Sequence, residues 1–267
     1  MTHGFSLADD LDLAHRLADA ARAAILPYFR SIDLGVDSKG AAGFDPVTEG
    51  DRAGERAMRA LLAEARPDDG IRGEEYDRVI GTSGREWVLD PIDGTRAFLS
   101  GTPTWGVLIA MNRGDAPVLG VIDQPHIPER FWGAEDRAFC RGPRGETAIR
   151  TRAPRDLGQA ILFTTFPEIG TPREREGFAA VASDVRLVRY GIDCYAYALL
   201  AAGQIDLVIE AGLAAYDIQA PMAVIAAAGG IVTDWRGGPA HQGGQVLAAA
   251  NPAIHAAALA RLTPFAG

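Results

Sequence analysis

One stretch, residues 87–98, constrains this chain more than any other part of it: Trp-Val-Leu-Asp-Pro-Ile-Asp-Gly-Thr-Arg-Ala-Phe. Its apolar start predicts the end of a buried strand over residues 86–89. Pro91 has no N–H to donate to a sheet, so it should stop the ladder, and Gly94 permits a sharp turn. Residues 95–99 can then form a helical turn. The stretch therefore predicts a strand, an abrupt break and a short helix that begins at the break.

The break carries a set of oxygen ligands. Asp90 and Asp93 lie three residues apart across it, so both carboxylates can converge on one point together with the backbone carbonyl of Ile92. Oxygen is the ligand atom that a hard cation such as Mg2+ prefers. The free N–H groups that follow Gly94 favour an anion. This juxtaposition indicates a metal-dependent phosphate site, although Asp, Pro and Gly are also common in ordinary loops.

Composition and charge narrow the class of protein. The 267 residues suffice for one large domain or two modest ones, and 48% hydrophobic with 23% charged residues is typical of soluble globular proteins. The net charge of −9 argues against a nucleic-acid partner, since such binding needs cations that neutralise phosphates. Two distant cysteines, Cys140 and Cys194, fit a reducing compartment. With no signal-peptide pattern and no run of membrane-spanning length, we expect a cytoplasmic protein without a membrane partner.

The pattern of apolar residues predicts a mixed α/β chain in two parts. In the first part, helices begin after Ser6 and Thr48, each followed three residues later by an Asp that can cap. A weak strand is predicted at 34–36, and further strands at 70–75, 106–111, 118–123, 130–132 and 137–140, the last four as an antiparallel sheet. A composition shift at 150–157 predicts a boundary between parts 1–150 and 151–267. In the second part, strands at 161–165, 185–190, 205–210, 231–235 and 245–249 alternate with helices at 171–182, 193–202, 216–228 and from 251 onward.

The stretch at 87–98 resembles the signature of the inositol-monophosphatase family of metal-dependent phosphatases. The resemblance extends from Lys39 to Trp235, with the mild departure that Tyr216-Asp217 stands where relatives usually have Trp-Asp. It implies a layered α/β/α/β/α sandwich of the inositol-monophosphatase and fructose-1,6-bisphosphatase type. It also implies a phosphomonoesterase that uses two or three Mg2+ ions on a small phosphate ester, commonly as a homodimer.

The resemblance assigns roles to residues outside the stretch. One Mg2+ would be held by Glu74, Asp90 and the Ile92 carbonyl and would activate the attacking water. A second, held by Asp90, Asp93 and Asp217, would stabilise the leaving oxygen. Because neighbouring residues of a strand face opposite ways, only one of Glu74 and Glu75 should face the metals, and the resemblance selects Glu74. Asp217 is alternatively a helix N-cap.

The same resemblance makes Asp51 and Thr95 catalytic together with Glu74, since Asp51 would orient Thr95 and the pair would activate water. Asp51 is also placed to cap its helix, and the two roles are compatible. The substrate would contact Asp93, the amides at Gly94 and Thr95, and Asp217. Arg96 and Arg189 either serve the phosphate or balance neighbouring acids, and Trp105 either lies near the site or packs in the core.

Residues 190–195, Tyr-Gly-Ile-Asp-Cys-Tyr, resemble the histidinol-phosphatase branch of this superfamily. Histidinol phosphate carries an ammonium and an imidazole, for which Asp193 and Glu210 are suitable acceptors; Asp193 is alternatively a helix cap. The sequence therefore favours a histidinol-phosphate phosphatase of histidine biosynthesis. The alternatives are a phosphatase for inositol 1-phosphate or another small sugar phosphate and, more remotely, a catalytically silent binding scaffold.

Overall fold

The structure, a computed structural model, describes residues 6–31, 37–38 and 46–267. The strand predicted at 34–36 and residue Lys39 lie outside this part of the chain. The described helices are α1 (Leu7–Ile25), α2 (Glu49–Ala65), α3 (Thr95–Leu99), α4 (Pro172–Ala182), α5 (Tyr195–Ala201), α6 (Ala215–Ala227) and α7 (Pro252–Leu262). The described strands are β1 (Asp37–Ser38), β2 (Pro46–Val47), β3 (Gly70–Gly73), β4 (Arg85–Asp93), β5 (Gly106–Arg113), β6 (Ala116–Gln124), β7 (Glu129–Ala134), β8 (Arg137–Gly142), β9 (Gly145–Ala148), β10 (Ile161–Thr164), β11 (Leu187–Tyr190), β12 (Leu207–Leu213), β13 (Ile231–Thr233) and β14 (Gly244–Ala249).

Helices α1 and α2 begin where the sequence predicts. The Ser6 hydroxyl accepts from the Asp9 N–H and the Asp9 carboxylate accepts from the Ser6 N–H, which completes a capping box. Thr48 and Asp51 form the same arrangement at the start of α2. Pro67 follows directly after the last turn of α2, as expected for a residue that disfavours helix before it.

The larger sheet has seven strands in the order β3-β4-β5-β6-β7-β8-β9. Strand β3 runs parallel to β4, and every later pair is antiparallel, as predicted for the hairpins. Strand β9 was not predicted, because all four of its residues are exposed and no apolar alternation marks it.

The prediction that Pro91 ends the first strand is wrong. Strand β4 continues to Asp93, and its pairing with β5 shifts between Asp90, opposite Leu108, and Asp93, opposite Gly106. Two residues of β4 therefore oppose one of β5, which is a β-bulge. The bulge accommodates Pro91, whose missing N–H is not needed there, and it bends the strand at the point where the acids lie.

The smaller sheet has five strands in the order β11-β10-β12-β14-β13. Strand β10 runs parallel to both of its neighbours, whereas β14 is antiparallel to β12 and β13. The alternation of strands and helices predicted for this part is confirmed. The carboxyl ends of β10 and β12 lie side by side as a result.

Five layers pack around three apolar cores, the central one of which contacts both sheets, and this confirms the α/β/α/β/α sandwich. Helices α1 and α2 pack on one face of the larger sheet, and Leu17, Met58 and Ile109 belong to the core between them. Helices α5 and α6 fill the space between the two sheets. Helices α4 and α7 cover the outer face of the smaller sheet. The division into parts 1–150 and 151–267 stays a prediction. No helix within the described ranges combines the length and the apolar character that crossing a bilayer requires.

Candidate active site

The bulged end of β4 presents the first two acids. Asp90 is 1% exposed and its Oδ1 accepts a hydrogen bond from the Ile92 N–H at 3.0 Å. The chain then turns at Gly94, whose φ of +84° lies in the left-handed region that favours glycine. Helix α3 begins directly after it, as predicted, and the Thr95 hydroxyl donates to the Ile92 carbonyl at 3.2 Å. The break therefore brings carboxylates, a carbonyl and a helix start to one place.

The start of α2 packs against this break. An added Cβ at Gly50 would lie 3.3 Å from the Ile92 side chain and 3.4 Å from that of Phe98, so the two segments are in close contact at this residue. Asp51, 1% exposed, accepts from the Thr48 N–H at 2.7 Å and from the Thr48 hydroxyl. The capping role of Asp51 is confirmed, and its pairing with Thr95 stays a prediction.

Glu74 and Glu75 follow the end of β3, which lies beside β4. Glu74 lines the cavity described below and Glu75 does not, in agreement with the expectation that one of the two faces the site. Both residues lie beyond Gly73, where the strand ends, so strand alternation is not the cause. One carboxylate oxygen each from Asp51, Glu74 and Glu75 lies within 4.8 Å of the others. The buried Glu55 of α2 holds this turn by accepting from the Glu75 N–H at 2.7 Å.

Asp217 comes from the opposite side of the site, in the first turn of α6. Its carboxylate accepts from the Ala214 N–H at 2.7 Å, and Ala214, not Asp217, is the N-cap. The predicted N-cap position is therefore wrong by three residues, although the Asp217 carboxylate still caps the helix by accepting from a backbone N–H. Carboxylate oxygens of Asp90, Asp93 and Asp217 lie within 4.8 Å of one another. The fold thus brings Asp217, distant in sequence, into one cluster with the neighbouring Asp90 and Asp93.

Asp193 lies next to the break rather than at a helix cap. The N-cap of α5 is Cys194, whose N–H donates to the Asp93 carboxylate at 2.6 Å, so the predicted capping by Asp193 is wrong. The Asp193 carboxylate instead accepts from the Thr104 hydroxyl at 2.9 Å. An added Cβ at Gly94 would lie 2.8 Å from the Asp193 Cγ, so the two segments interlock closely.

Glu210, in the middle of β12, is held by residues at and just beyond the end of the neighbouring strand β10. Its Oε1 accepts from the Thr165 N–H at 2.7 Å and from the Thr165 hydroxyl at 3.0 Å, and its Oε2 accepts from the Thr164 hydroxyl at 3.1 Å. Burial raises the pKa of Glu210 to about 7, despite these donors. Glu210 is thus fixed in position and titrates near neutrality.

The carboxylates of this cluster repel one another, and a bound cation would stabilise them. Burial, followed by the charge of Glu74, raises the pKa of Asp90 well above its usual value, and burial with the charge of Asp217 does the same for Asp93. Burial likewise raises the pKa of Asp193. Two carboxylates about 4 Å apart repel by roughly 4 kcal/mol at an effective dielectric near 20. A divalent cation among these all-oxygen donors would relieve that repulsion, so the residues fit a Mg2+ site.

The acids face a cavity of about 410 Å³ that is lined by residues from the segments 74–96 and 165–217. Its lining includes most of the predicted site residues: Glu74, Asp90, Ile92, Asp93, Gly94, Thr95, Asp193, Glu210 and Asp217. Arg96 also lines it. Arg189 does not, since it is exposed on β11 and absent from the lining. Trp105 is fully buried against Phe98, with ring centroids 5.0 Å apart, which fits the packing alternative.

Several residues around the cavity were not predicted. Thr165 and Glu55 position acids, yet a lone Thr after a strand or a Glu within a helix gives no signal of its own in the sequence. Phe166 and Tyr197 line the cavity as well. Only the tertiary fold brings them there, so no spacing along the chain could have identified them.

Comparisons with known proteins agree on one family. A model of the inositol monophosphatase family matches residues 7–266. The chain is 41% identical over 227 residues to the chloroplastic bifunctional phosphatase IMPL2 of Arabidopsis thaliana, covering 84% of this chain but only 64% of that protein. It is 35% identical over 254 residues to the histidinol-phosphatase of Streptomyces coelicolor, covering 92% and 94% of the two chains.

A solved structure agrees with the fold. The structure of an inositol monophosphatase from Zymomonas mobilis superposes with a TM-score of 0.84 at 39% identity, covering 97% of this chain and 99% of that one. Proteins named for histidinol phosphate and for inositol phosphate are thus similar to this chain to a comparable degree.

Proposed function

The chain belongs to the inositol monophosphatase family, a family of phosphatases, and from that membership and the site we propose that it is a Mg2+-dependent histidinol-phosphate phosphatase. The observation that carries the proposal is the convergence of Glu74, Asp90, Asp93 and Asp217 on a cavity that also contains Asp193 and Glu210. The reaction would be L-histidinol phosphate and water giving L-histidinol and phosphate.

Two groups of ligands would hold the metal. Glu74, Asp90 and the Ile92 carbonyl would hold one ion, and Asp90, Asp93 and Asp217 would hold a second. The nearby Glu75 is a further carboxylate that could be a ligand of a third ion. Bound Mg2+ would supply charge stabilisation and a lowered pKa for water. Such stabilisation is needed, because the enhancement for phosphate monoesters can reach about 10^21-fold, or roughly 28 kcal/mol. General base catalysis contributes only about 10^2- to 10^4-fold.

The chain's own residues would hold and orient the reactants. The N–H groups that follow Gly94 lie at the start of α3, where free N–H groups favour an anion, and they would hold the phosphate. Thr95 and Asp51 would orient the attacking water and remove its proton, with Glu74 close by. The Cys194 N–H fixes the Asp93 carboxylate for its part in the site.

The two acids beyond the metal cluster support a cationic substrate. Asp193 and Glu210 line the same cavity, each held by threonine hydroxyls. An ammonium or imidazolium would pair with them through charge-assisted hydrogen bonds, whereas a neutral polyol needs no such charge. The 39% identity to an inositol monophosphatase nevertheless supports a second candidate, hydrolysis of inositol 1-phosphate or another sugar phosphate. The homodimer and the cytoplasmic location stay predictions.

The proposal is tested by phosphate release from L-histidinol phosphate and from inositol 1-phosphate, each with Mg2+ and with chelator. We expect Mg2+-dependent turnover with kcat/KM at least tenfold higher for histidinol phosphate. Asp193→Asn should reduce that preference, because it removes a charge facing the ammonium, while the exposed Asp156→Asn should leave it unchanged. A higher kcat/KM for inositol 1-phosphate would select the second candidate, and no turnover of either ester would favour the silent scaffold.

A further inference from the structure

An exposed aromatic side chain stands at the open edge of the cavity without a part in the proposed chemistry. Phe166 is 41% exposed and belongs to the cavity lining. The guanidinium of Arg96 lies over its ring, 4.8 Å from the ring centroid. Arg96 comes from α3 and Phe166 from the residues after β10, so this contact connects the two halves of the chain across the site.

Both partners are tied to residues of the proposed mechanism. Phe166 follows Thr165, whose N–H and hydroxyl both donate to Glu210. Arg96 follows Thr95 in the turn that would hold the phosphate. Phe166 therefore follows directly after a residue that holds Glu210, the acid proposed to bind the substrate's cation. Its ring contacts Arg96, which belongs to the turn proposed to hold the phosphate. In the proposed function, the alcohol part of the ester would lie between these two groups and so next to the ring.

The chemistry of the ring indicates what it would contact. A phenyl face that is exposed to water is covered favourably by another planar or apolar group. Inositol 1-phosphate carries hydroxyls on five ring carbons, and those that met the phenyl face would lose water and find no hydrogen-bond partner there. The exposed face thus distinguishes between the two kinds of alcohol that the comparisons suggest.

We propose that Phe166, braced by Arg96, is a specificity-determining residue that packs against a planar ring of the ester's alcohol and favours aromatic alcohols over polyols. This inference rests on the proposed phosphatase function, since it concerns the alcohol part of the same substrate. It adds a contact that the acids Asp193 and Glu210 cannot supply, because they recognise charge and not apolar surface.

The test compares kcat and KM in Mg2+ for three esters: L-histidinol phosphate, 2-phenylethyl phosphate and inositol 1-phosphate. Phe166→Ala should raise KM about tenfold for the first two, the factor expected when roughly 50 Å² of apolar contact is lost. Its kcat, and the KM for inositol 1-phosphate, should stay within about twofold. Phe166→Tyr should restore KM, since it keeps the planar face.

Two further variants control for a general effect of removing an exposed side chain and for misfolding of the alanine variant. Leu187→Ala removes a side chain of similar exposure, 45%, outside the cavity lining and should change none of the constants. Phe166→Leu keeps apolar volume without a planar face and replaces the alanine variant if that one does not fold. We expect it to raise KM for L-histidinol phosphate and 2-phenylethyl phosphate by an intermediate factor.

Equal changes for all three esters, or a fall in kcat alone, would overturn the specificity role and leave the phosphatase proposal intact. A wild-type protein that hydrolyses none of the esters in Mg2+ would overturn both proposals. Preference of the wild type for inositol 1-phosphate would refute the histidinol assignment, and unchanged KM for 2-phenylethyl phosphate in Phe166→Ala would refute the role of Phe166.

Discussion

Two tyrosines of α5 show how differently a hydroxyl can be placed within one turn of helix. The hydroxyl of Tyr195 donates to the Glu129 carboxylate at 2.7 Å. The hydroxyl of Tyr197 is buried and has no hydrogen-bond partner among the residues that the structure describes. Burial, followed by the charges of Glu210 and Asp93, raises the pKa of Tyr197. The Tyr195 hydroxyl therefore has a hydrogen-bond acceptor, whereas the Tyr197 hydroxyl is buried with no hydrogen bond to another described residue.

This difference predicts opposite effects on stability. Tyr197→Phe should leave the free energy of unfolding unchanged or raise it by up to about 1 kcal/mol, because a buried polar group without a partner is removed. Tyr195→Phe should lower it by about 1 kcal/mol, because a hydrogen bond is lost and the acceptor stays. Denaturant unfolding of the metal-free protein measures both. A loss on Tyr197→Phe as large as that on Tyr195→Phe would contradict the assignment of the unsatisfied hydroxyl.

At the scale of elements, the turn between β4 and α3 is the part of the site that tolerates least change. Gly94 has φ +84° and faces Asp193, whereas Gly84 has φ +79° with no atom near its Cβ position. Gly84→Ala therefore isolates the cost of the backbone conformation, about 1 kcal/mol. Gly94→Ala adds a clash with Asp193, so it should cost more stability and also reduce turnover at least tenfold.

Thermal unfolding and phosphate release, measured side by side on the two glycine variants, check this prediction. Gly84→Ala should keep the activity of the wild type. Equal stability and activity of the two variants would show that the close approach of Asp193 to Gly94 has no importance for the site.

The sequence predicted elements well wherever local signals were sufficient. Capping boxes at Ser6 and Thr48 and the helical turn after Gly94 depend on neighbours within a few residues, and all are confirmed. The bulge in β4 was missed because it depends on pairing with β5, which the sequence of one strand does not contain. The cap proposed for Asp193 was misplaced for a similar reason, since Asp93 reaches the Cys194 N–H from a distant segment. Asp217 does act in the local cap, but α6 begins earlier than predicted, so its N-cap is Ala214.

At the scale of the whole molecule, the site exists only because both sheets end at one cavity. The larger sheet and its turn bring Asp90 and Asp93, the region between the sheets brings Asp217, and the smaller sheet brings Glu210. The resemblance to a family could predict these acids residue by residue. It could not predict Phe166 or Thr165, or that Arg189 would lie outside the cavity, because these depend on tertiary packing.

The central claim is that these distant acids form a Mg2+ site, and calorimetric titration of Mg2+ into chelator-stripped protein tests it most directly. Because the pKa values of Asp90 and Asp93 are raised, Mg2+ must displace protons, so affinity should be higher at pH 8 than at pH 6. Asp90→Asn should weaken binding at least tenfold at pH 8, while Asp156→Asn should bind as the wild type does. Absence of Mg2+ binding by the wild type, or unchanged affinity in Asp90→Asn, would contradict the claim.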